Sequence, residues 1–299
     1  MNHELLTYSR LRLRLNCPFA EHLRYDQHLA PKAFSAARLL GSAVHKGLET
    51  DSIPKAMAVF DSALPVTQEQ QNDLDMDKAV CRAMLEEARE AFAPLPGLMP
   101  EQQFRLPIRN PATGAISRSY LLAGKVDGIC TLEDETWLVE YKTASTVDRQ
   151  YIARLRLDGQ VTTYLYAMER VLQRPIAGVI YRIIRKPSIR QTQKETFEAY
   201  CNRLEADYRA RPDFYFVEER LYRSREDMTL FEVELWDMTQ RMLWERKKDI
   251  HHRNTARCTD FGTCEYMPIC LQEAGWEGLY EYKEANEELR EDTEHGTVA

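Results

Sequence analysis

Glycine is scarce in this chain, with 12 residues in 299, and proline is little commoner at 13. So few of either, beside an apolar fraction of 44%, excludes a collagen-like, low-complexity or disordered polymer. Long hydrophobic runs are missing too: nothing approaches the ~18 uninterrupted apolar residues that a membrane span requires. The opening stretch MNHELLTYSR lacks the apolar core of a secretion signal, so a cytoplasmic location is expected. No internal repeat is visible. Two close cysteine pairs of the zinc-ribbon kind are absent, and so is the G-x4-G-K-[ST] loop that cradles nucleotide phosphates, so no ATP-driven motor is encoded here.

What is present is enough chain for one large domain or two small ones with a substantial core. Seven cysteines, an odd number, suit reduced thiols or metal ligation better than a secreted disulfide framework. The net charge of -7 is unevenly spread. From Glu277 to Ala299 there are eight acidic residues against Lys283 and Arg290, a net of -6, which leaves the preceding 276 residues near -1. Basic clusters stand within that near-neutral body: Arg10, Arg12, Arg14; Arg149, Arg154, Arg156; Arg182, Arg185, Lys186, Arg190; and Arg246, Lys247, Lys248, Arg253, Arg257. For any one of them a solvated face is the commoner reading, so nucleic acid is permitted as a partner but not shown.

Periodicity gives the coarse organisation. Residues 1 to 30 read as helical with a break at Asn16-Cys17-Pro18, followed by helices over about Phe34 to Glu49 and Thr67 to Phe92. The period then changes to two: Gln103 to Ile108, Ser119 to Leu132 and Thr136 to Tyr141 read as strands, the last two joined by the acidic turn Glu133-Asp134-Glu135. Helix at Gly159 to Leu172, strand at Ala177 to Ile184, helix at Thr192 to Arg211, strand at Phe214 to Arg223 and a long helix from about Asp227 to His252 follow, with an irregular segment from Arg257 to Cys270. This order predicts an α/β fold, a mixed sheet flanked by helices, as one domain over 1–276 with an acidic, partly mobile tail at 277–299.

The segment richest in chemistry is Gly124-Lys125-Val126-Asp127-Gly128 followed by Leu138-Val139-Glu140-Tyr141-Lys142-Thr143. On a strand, Glu140 and Lys142 share one face and Tyr141 takes the other, while Asp127 lies on the preceding strand of the same hairpin. Two carboxylates and an ammonium in one cleft are costly unless paired or metal-bound. Two acidic oxygens suit Mg2+ or Mn2+, and the lysine can orient or deprotonate water, which is the working part of a phosphodiester hydrolase. The bland alternative is an exposed hairpin with a Glu140–Lys142 salt bridge. His45 and Glu49, one helical turn apart, can reach the same cleft, and so can Gln160 and Tyr164, an amide and a phenol suited to a phosphate or a base. Taken singly, His45 is commoner as a surface or satisfied core residue, and Tyr164 as core.

The ordered set GSAVHKGLE, GKVDGI, LVEYKT and QVTTY resembles the RecB-type branch of the PD-(D/E)xK nuclease superfamily, over about Leu5 to Cys270. The resemblance implies a restriction-endonuclease-like core in which His45, Asp127, Glu140 and the Tyr141 carbonyl bind Mg2+ or Mn2+. Lys142 is then the catalytic lysine, and Gln160 and Tyr164 match the motif that follows it and would contact DNA. Cys258, Cys264 and Cys270, spaced C-x5-C-x5-C, with Cys17 far upstream, resemble the [4Fe-4S] arrangement of iron-sulfur RecB-type nucleases, in which the cluster joins the two ends of the chain. The spacing departs from that subgroup, where the first two of the clustered cysteines are commonly two residues apart. Cys81, Cys130 and Cys201 fall in apolar patterns and are expected as buried thiols. The function implied is a metal-dependent DNA exonuclease acting at DNA ends or in single strands, of the kind found in CRISPR adaptation or phage recombination. A helicase, recombinase or integration complex is the implied partner. The alternative is a DNA-binding or assembly module that keeps the fold without cleaving.

Overall fold

The β-branched and aromatic run after Ile116 becomes a 17-residue strand around which the sheet is organised. The computed structural model describes residues 3–32, 36–63, 67–260, 262–286 and Leu289. The N-terminal part holds β1 (Glu4–Leu6), α1 (Tyr8–Asn16), α2 (Pro18–Glu21), a π-helical turn over His22–Asp26 and β2 (Leu29–Pro31). A helical layer follows, with α3 (Ala36–Thr50), α4 (Ile53–Val59) and α5 (Gln68–Ala91). The sheet is then built from β3 (Met99–Arg109), β4 (Ile116–Leu132) and β5 (Glu135–Ala144). After α6 (Arg149–Leu155) and α7 (Gly159–Leu172) come β6 (Gly178–Arg185), α8 (Phe197–Ala210), α9 (Pro212–Tyr215), β7 (Phe216–Leu221), α10 (Arg225–Lys248), α11 (Met267–Cys270) and β8 (Tyr280–Tyr282).

The main sheet is mixed: β1 runs parallel to β4 and β5 parallel to β6, while β3–β4, β4–β5 and β6–β7 are antiparallel. Alternation along each strand divides the core. Leu138 of β5 with Val179, Tyr181 and Ile183 of β6 packs with residues of α1, α7 and α10. Trp137, Val139 and Tyr141 join Ile180 on the opposite face, and α3, α4, α5 and α8 form a further cluster with Ile184 and Phe216. Helices therefore flank the sheet, as the element order predicted. Both long helices begin with a reciprocal cap, Thr67 with Gln70 on α5 and Ser224 with Asp227 on α10.

Several expectations are corrected. The first helical stretch opens instead with strand β1, because Glu4–Leu6 pairs with Tyr120–Leu122, a partner over 100 residues away that local periodicity cannot show. The stretch from Thr192 turns helical only at Phe197, where Thr196 caps it, and the strand expected from Phe214 is preceded by the turn of α9. The short helices α4 and α6 are too brief for a repeat of the apolar period to stand out. The segment from Glu277 does not all behave as a tail: Tyr280–Tyr282 pairs antiparallel with Leu29–Pro31, and Tyr280 is buried. Residues 287–288 and 290–299 lie outside the described residues.

Candidate active site

A split in one edge of β4 creates the site. β3 runs along one edge of β4 from Ile116 to Ile129, so β1 and β5 must share the other, β1 at Tyr120–Leu122 and β5 at Gly128–Leu132. Ala123 to Asp127 therefore face a gap between the two partners. Asp127 is the last residue of that gap, one step beyond the Gly128–Val139 pair, which places it across from Glu140. There a side chain replaces the ladder, since Asp127 Oδ2 accepts the Tyr141 backbone N–H at 2.8 Å. The Tyr141 peptide is thus fixed at the mouth of the split, with its ring buried on the far face.

The sequence-predicted residues converge here. His45 on α3 places Nδ1 3.5 Å from Asp127 Oδ2. Lys142 Nζ is paired with Glu140 Oε1, and the Gln160 amide donates to the same oxygen at 2.8 Å. The Gln160 amide also lies 3.1 Å from the Tyr164 hydroxyl. Of the two residues expected as DNA contacts, Gln160 is turned onto Glu140 and Tyr164 onto Gln160. Glu49 is directed elsewhere, 3.7 Å from Lys46 on its own helix.

Burial separates the two carboxylates. Glu140 is 2% exposed, and burial together with the neighbouring Asp127 charge pushes its pKa up to about 7, against the pull of Lys142. Asp127 is also pushed upward by burial, but the His45 hydrogen bond, the Lys142 charge and the Tyr141 N–H outweigh that and hold it below its usual value. Lys142 loses by desolvation and gains more from Glu140 and Asp127, so it is held as an ammonium. Glu140 Oε2 is buried with no hydrogen-bond partner. A hard cation supplies what that oxygen lacks, and the donor set of two carboxylates, an imidazole and a peptide carbonyl suits Mg2+ or Mn2+. Among the described residues, no three His, Cys, Asp or Glu side chains already stand together as ligands of one ion.

Two supporting positions escaped the sequence reading. Glu101 occupies a positive-φ irregularity in β3, between the pairs Pro100–Gly128 and Gln102–Val126, and binds Lys125 while standing 3.8 Å from Lys46. The register is the same on both sides of Glu101, so no periodic pattern marks the kink. Gly124 lies in the gap of β4, where an added Cβ would come within 2.7 Å of the Phe104 ring and 3.4 Å of Tyr164. Gly124→Ala is expected to cost about 1–3 kcal/mol by overpacking and to displace Tyr164, lowering both the melting temperature and the cleavage rate. Unchanged melting and activity would show that this close approach does not set the site.

The four outlying cysteines also converge. Cys17, Cys258, Cys264 and Cys270 line a single cavity of about 570 Å³ between the end of α1 and the segment after α10. The Asn254 N–H lies 3.4 Å from Cys17 Sγ, and the Phe19 N–H donates to the His252 carbonyl at 3.0 Å. Beside them a partly buried ion network ties the chain ends together. Arg10 meets Glu21 at 2.6 Å, Arg14 meets Glu245 at 2.5 Å, and Arg246 reaches Glu4 at 2.5 Å and Asp26 at 2.8 Å. Of the other three, Cys81 and Cys130 are buried thiols as expected, whereas Cys201 is only half-buried.

A mixed sheet flanked by helices, with two carboxylates and a lysine at a split between strands, is the arrangement of the restriction-endonuclease-like α/β proteins. A family model described as the PD-(D/E)XK nuclease superfamily matches residues 5–271, and the chain belongs to that superfamily of metal-dependent nucleases. Among solved structures, one described as the crystal structure of SSO0001 is similar at 12% identity and a TM-score of 0.32, covering 88% of this chain and 94% of that one. Comparison with curated proteins gives no match.

Proposed function

We propose that this chain is a Mg2+- or Mn2+-dependent DNA exonuclease of the RecB-type branch, acting at DNA ends or in single strands. The observation that carries the reading is Glu140: a carboxylate buried at the split of the sheet, with Oε2 unpartnered and Oε1 gripped by Lys142 and Gln160. Asp127, Glu140, His45 and the Tyr141 carbonyl would hold the ion. When bound, it supplies Lewis-acid polarisation of the scissile phosphate and acidifies water.

The remaining roles belong to the chain's own residues. Lys142, kept charged by its two carboxylate neighbours, orients the attacking water and sets positive charge where the phosphate oxygens gain negative charge. Gln160 fixes the rotamer of Glu140, and Tyr164, whose buried phenol stays neutral beside Glu140, braces that amide. Lys142→Ala should therefore keep Mn2+ binding and lose roughly two or more orders of magnitude in rate. Loss of metal binding without a separate rate defect would instead make Lys142 an organiser of the site.

The same reading assigns Cys17, Cys258, Cys264 and Cys270 to a [4Fe-4S] cluster. Their shared cavity supports it, and a cluster of four irons is wider than a single ion, so its thiolates need not crowd together. Its role is structural, joining the N-terminal part of the domain to the segment after α10. The test is a Mn2+-dependent digest of 5′- and 3′-labelled single-stranded and duplex DNA. A ladder shortening from an end supports the exonuclease. Binding with no cleavage in any arm would overturn it in favour of a non-cleaving DNA-binding module.

A further inference from the structure

Five of the arginines that form clusters in the sequence are engaged in pairings within the molecule. Arg10, Arg14 and Arg246 sit in the ion network, Arg182 pairs with Glu218 at 2.8 Å, and Arg185 donates to the carbonyls of Phe214 and Val147. Arg149, Arg154 and Arg156 are different. All three are exposed, and none has an ion-pair partner among the described residues. The carboxylates nearest in sequence are committed to the backbone: Asp148 caps α6 through the Tyr151 N–H at 2.7 Å, and Asp158 caps α7 through the Gln160 N–H at 2.7 Å. The next residue after Arg156 is Leu157, 89% exposed, the most exposed large apolar side chain among the described residues.

These residues stand at the cleft. Tyr151, on the same short helix as Arg149 and Arg154, lies in the field of Lys142, and the Arg154 guanidinium is 5.9 Å from the centre of its ring. Only two residues separate Leu157 from Gln160, whose amide touches Glu140. Across the mouth, Tyr8 of α1 lies 3.4 Å from Asp158, and Arg12, one turn further along α1, bears on the same phenol and is likewise exposed without an ion-pair partner among the described residues. Three exposed cations on and just after α6, a protruding leucine next to the last of them, and Arg12 on α1 give this side of the site two chemistries. The guanidiniums suit phosphates. The leucine suits the face of an unstacked base, which a single strand presents without the cost of a few kcal/mol per step that unstacking a duplex requires.

We propose that the α6–α7 lip is a single-strand DNA track: Arg12, Arg149, Arg154 and Arg156 hold successive phosphates while Leu157 packs on an unpaired base at the entrance to the cleft. The proposal rests on the nuclease reading for its substrate, but binding tests it without cleavage. Fluorescence anisotropy of a labelled oligothymidylate with the full chain in EDTA, across a salt series, reads both chemistries. Each phosphate contact contributes about 0.7 to the log–log salt slope for single strands, so the triple variant R149A/R154A/R156A should lower the slope by about 2 and weaken binding roughly tenfold or more at low salt. Leu157→Ser should weaken binding by about threefold with the slope unchanged, and that loss should vanish on an abasic strand, whereas Leu157→Trp should tighten binding. Unchanged melting temperatures keep these exposed substitutions interpretable.

Wild-type affinity and slope in the triple variant would overturn the track. An equal loss on duplex and single strand would overturn its single-strand character. Wild-type cleavage in Mn2+ is measured alongside: its absence, with lip-dependent binding intact, counts against the nuclease reading and leaves the track standing.

Discussion

Glu140→Ala should abolish cleavage, a loss of roughly three or more orders of magnitude, while DNA affinity in EDTA stays near wild type. The asymmetry follows from where the side chain sits. Glu140 is buried beneath the split of the sheet and touches Lys142 and Gln160, so it contributes to the reacting centre but offers no surface to the phosphates that dominate affinity. Glu140→Gln separates this from folding, because it keeps the volume and an oxygen for Lys142 and Gln160 but removes the charge. Burial and Asp127 raise the Glu140 pKa from its ordinary value of 4.5 to about 7, so between those values the unfolded chain gives up its proton while the folded chain keeps it. Stability contributed at this site therefore falls as pH rises through that window. Glu140→Gln should melt no lower than wild type in EDTA at pH 8, and yet be inactive when assayed in Mn2+. Wild-type cleavage in either variant would remove Glu140 from the site, and a lowered melting temperature in Glu140→Gln would contradict the cost assigned to its burial.

The candidate constellation was legible because strand geometry is so restrictive. Once Leu138 to Lys142 is a strand, Glu140 and Lys142 must share a face, and a tight turn at Glu133 and Asp134, both at positive φ, returns the preceding strand so that Asp127 comes opposite. The one-turn spacing of Gln160 and Tyr164 likewise guaranteed that they meet, but not what they face: only the packing of α7 on the sheet shows Gln160 turned to Glu140 with Tyr164 behind it. What the sequence hid is long-range. The split in β4 depends on β1 pairing with Tyr120–Leu122, and the positions of Glu101 and Gly124 depend on that strand's other edge. Basic clusters were the least informative feature, since Arg10 and Arg149 look alike in sequence, yet Arg10 is buried against Glu4, Glu21 and Asp26 while Arg149 is exposed.

Protein purified without oxygen should be brown and carry about four irons per chain, and Cys17→Ser should bleach it as fully as Cys264→Ser does. Cys17 is separated from Cys258 by about 240 residues, yet all four thiols line one cavity, and a cluster held by four thiolates is lost when any one is removed. Zinc in the same cavity would leave the protein colourless. The cluster does not close the chain ends alone, because Arg14–Glu245, Arg246–Glu4 and the β2–β8 pairing cross the same junction. Both variants should therefore still fold, with melting temperatures lowered by similar amounts, since each loses the same cross-link and leaves the same ion network. The nuclease cleft should feel this only indirectly, through α1, whose Tyr8 meets the N-terminus of α7. Cys201→Ser, on α8 and remote from the cavity, should keep colour, iron and melting temperature. Full iron retained in Cys17→Ser with loss in Cys264→Ser would place the fourth ligand elsewhere, and the joining of the two ends would then rest on the ion network and β2–β8 alone.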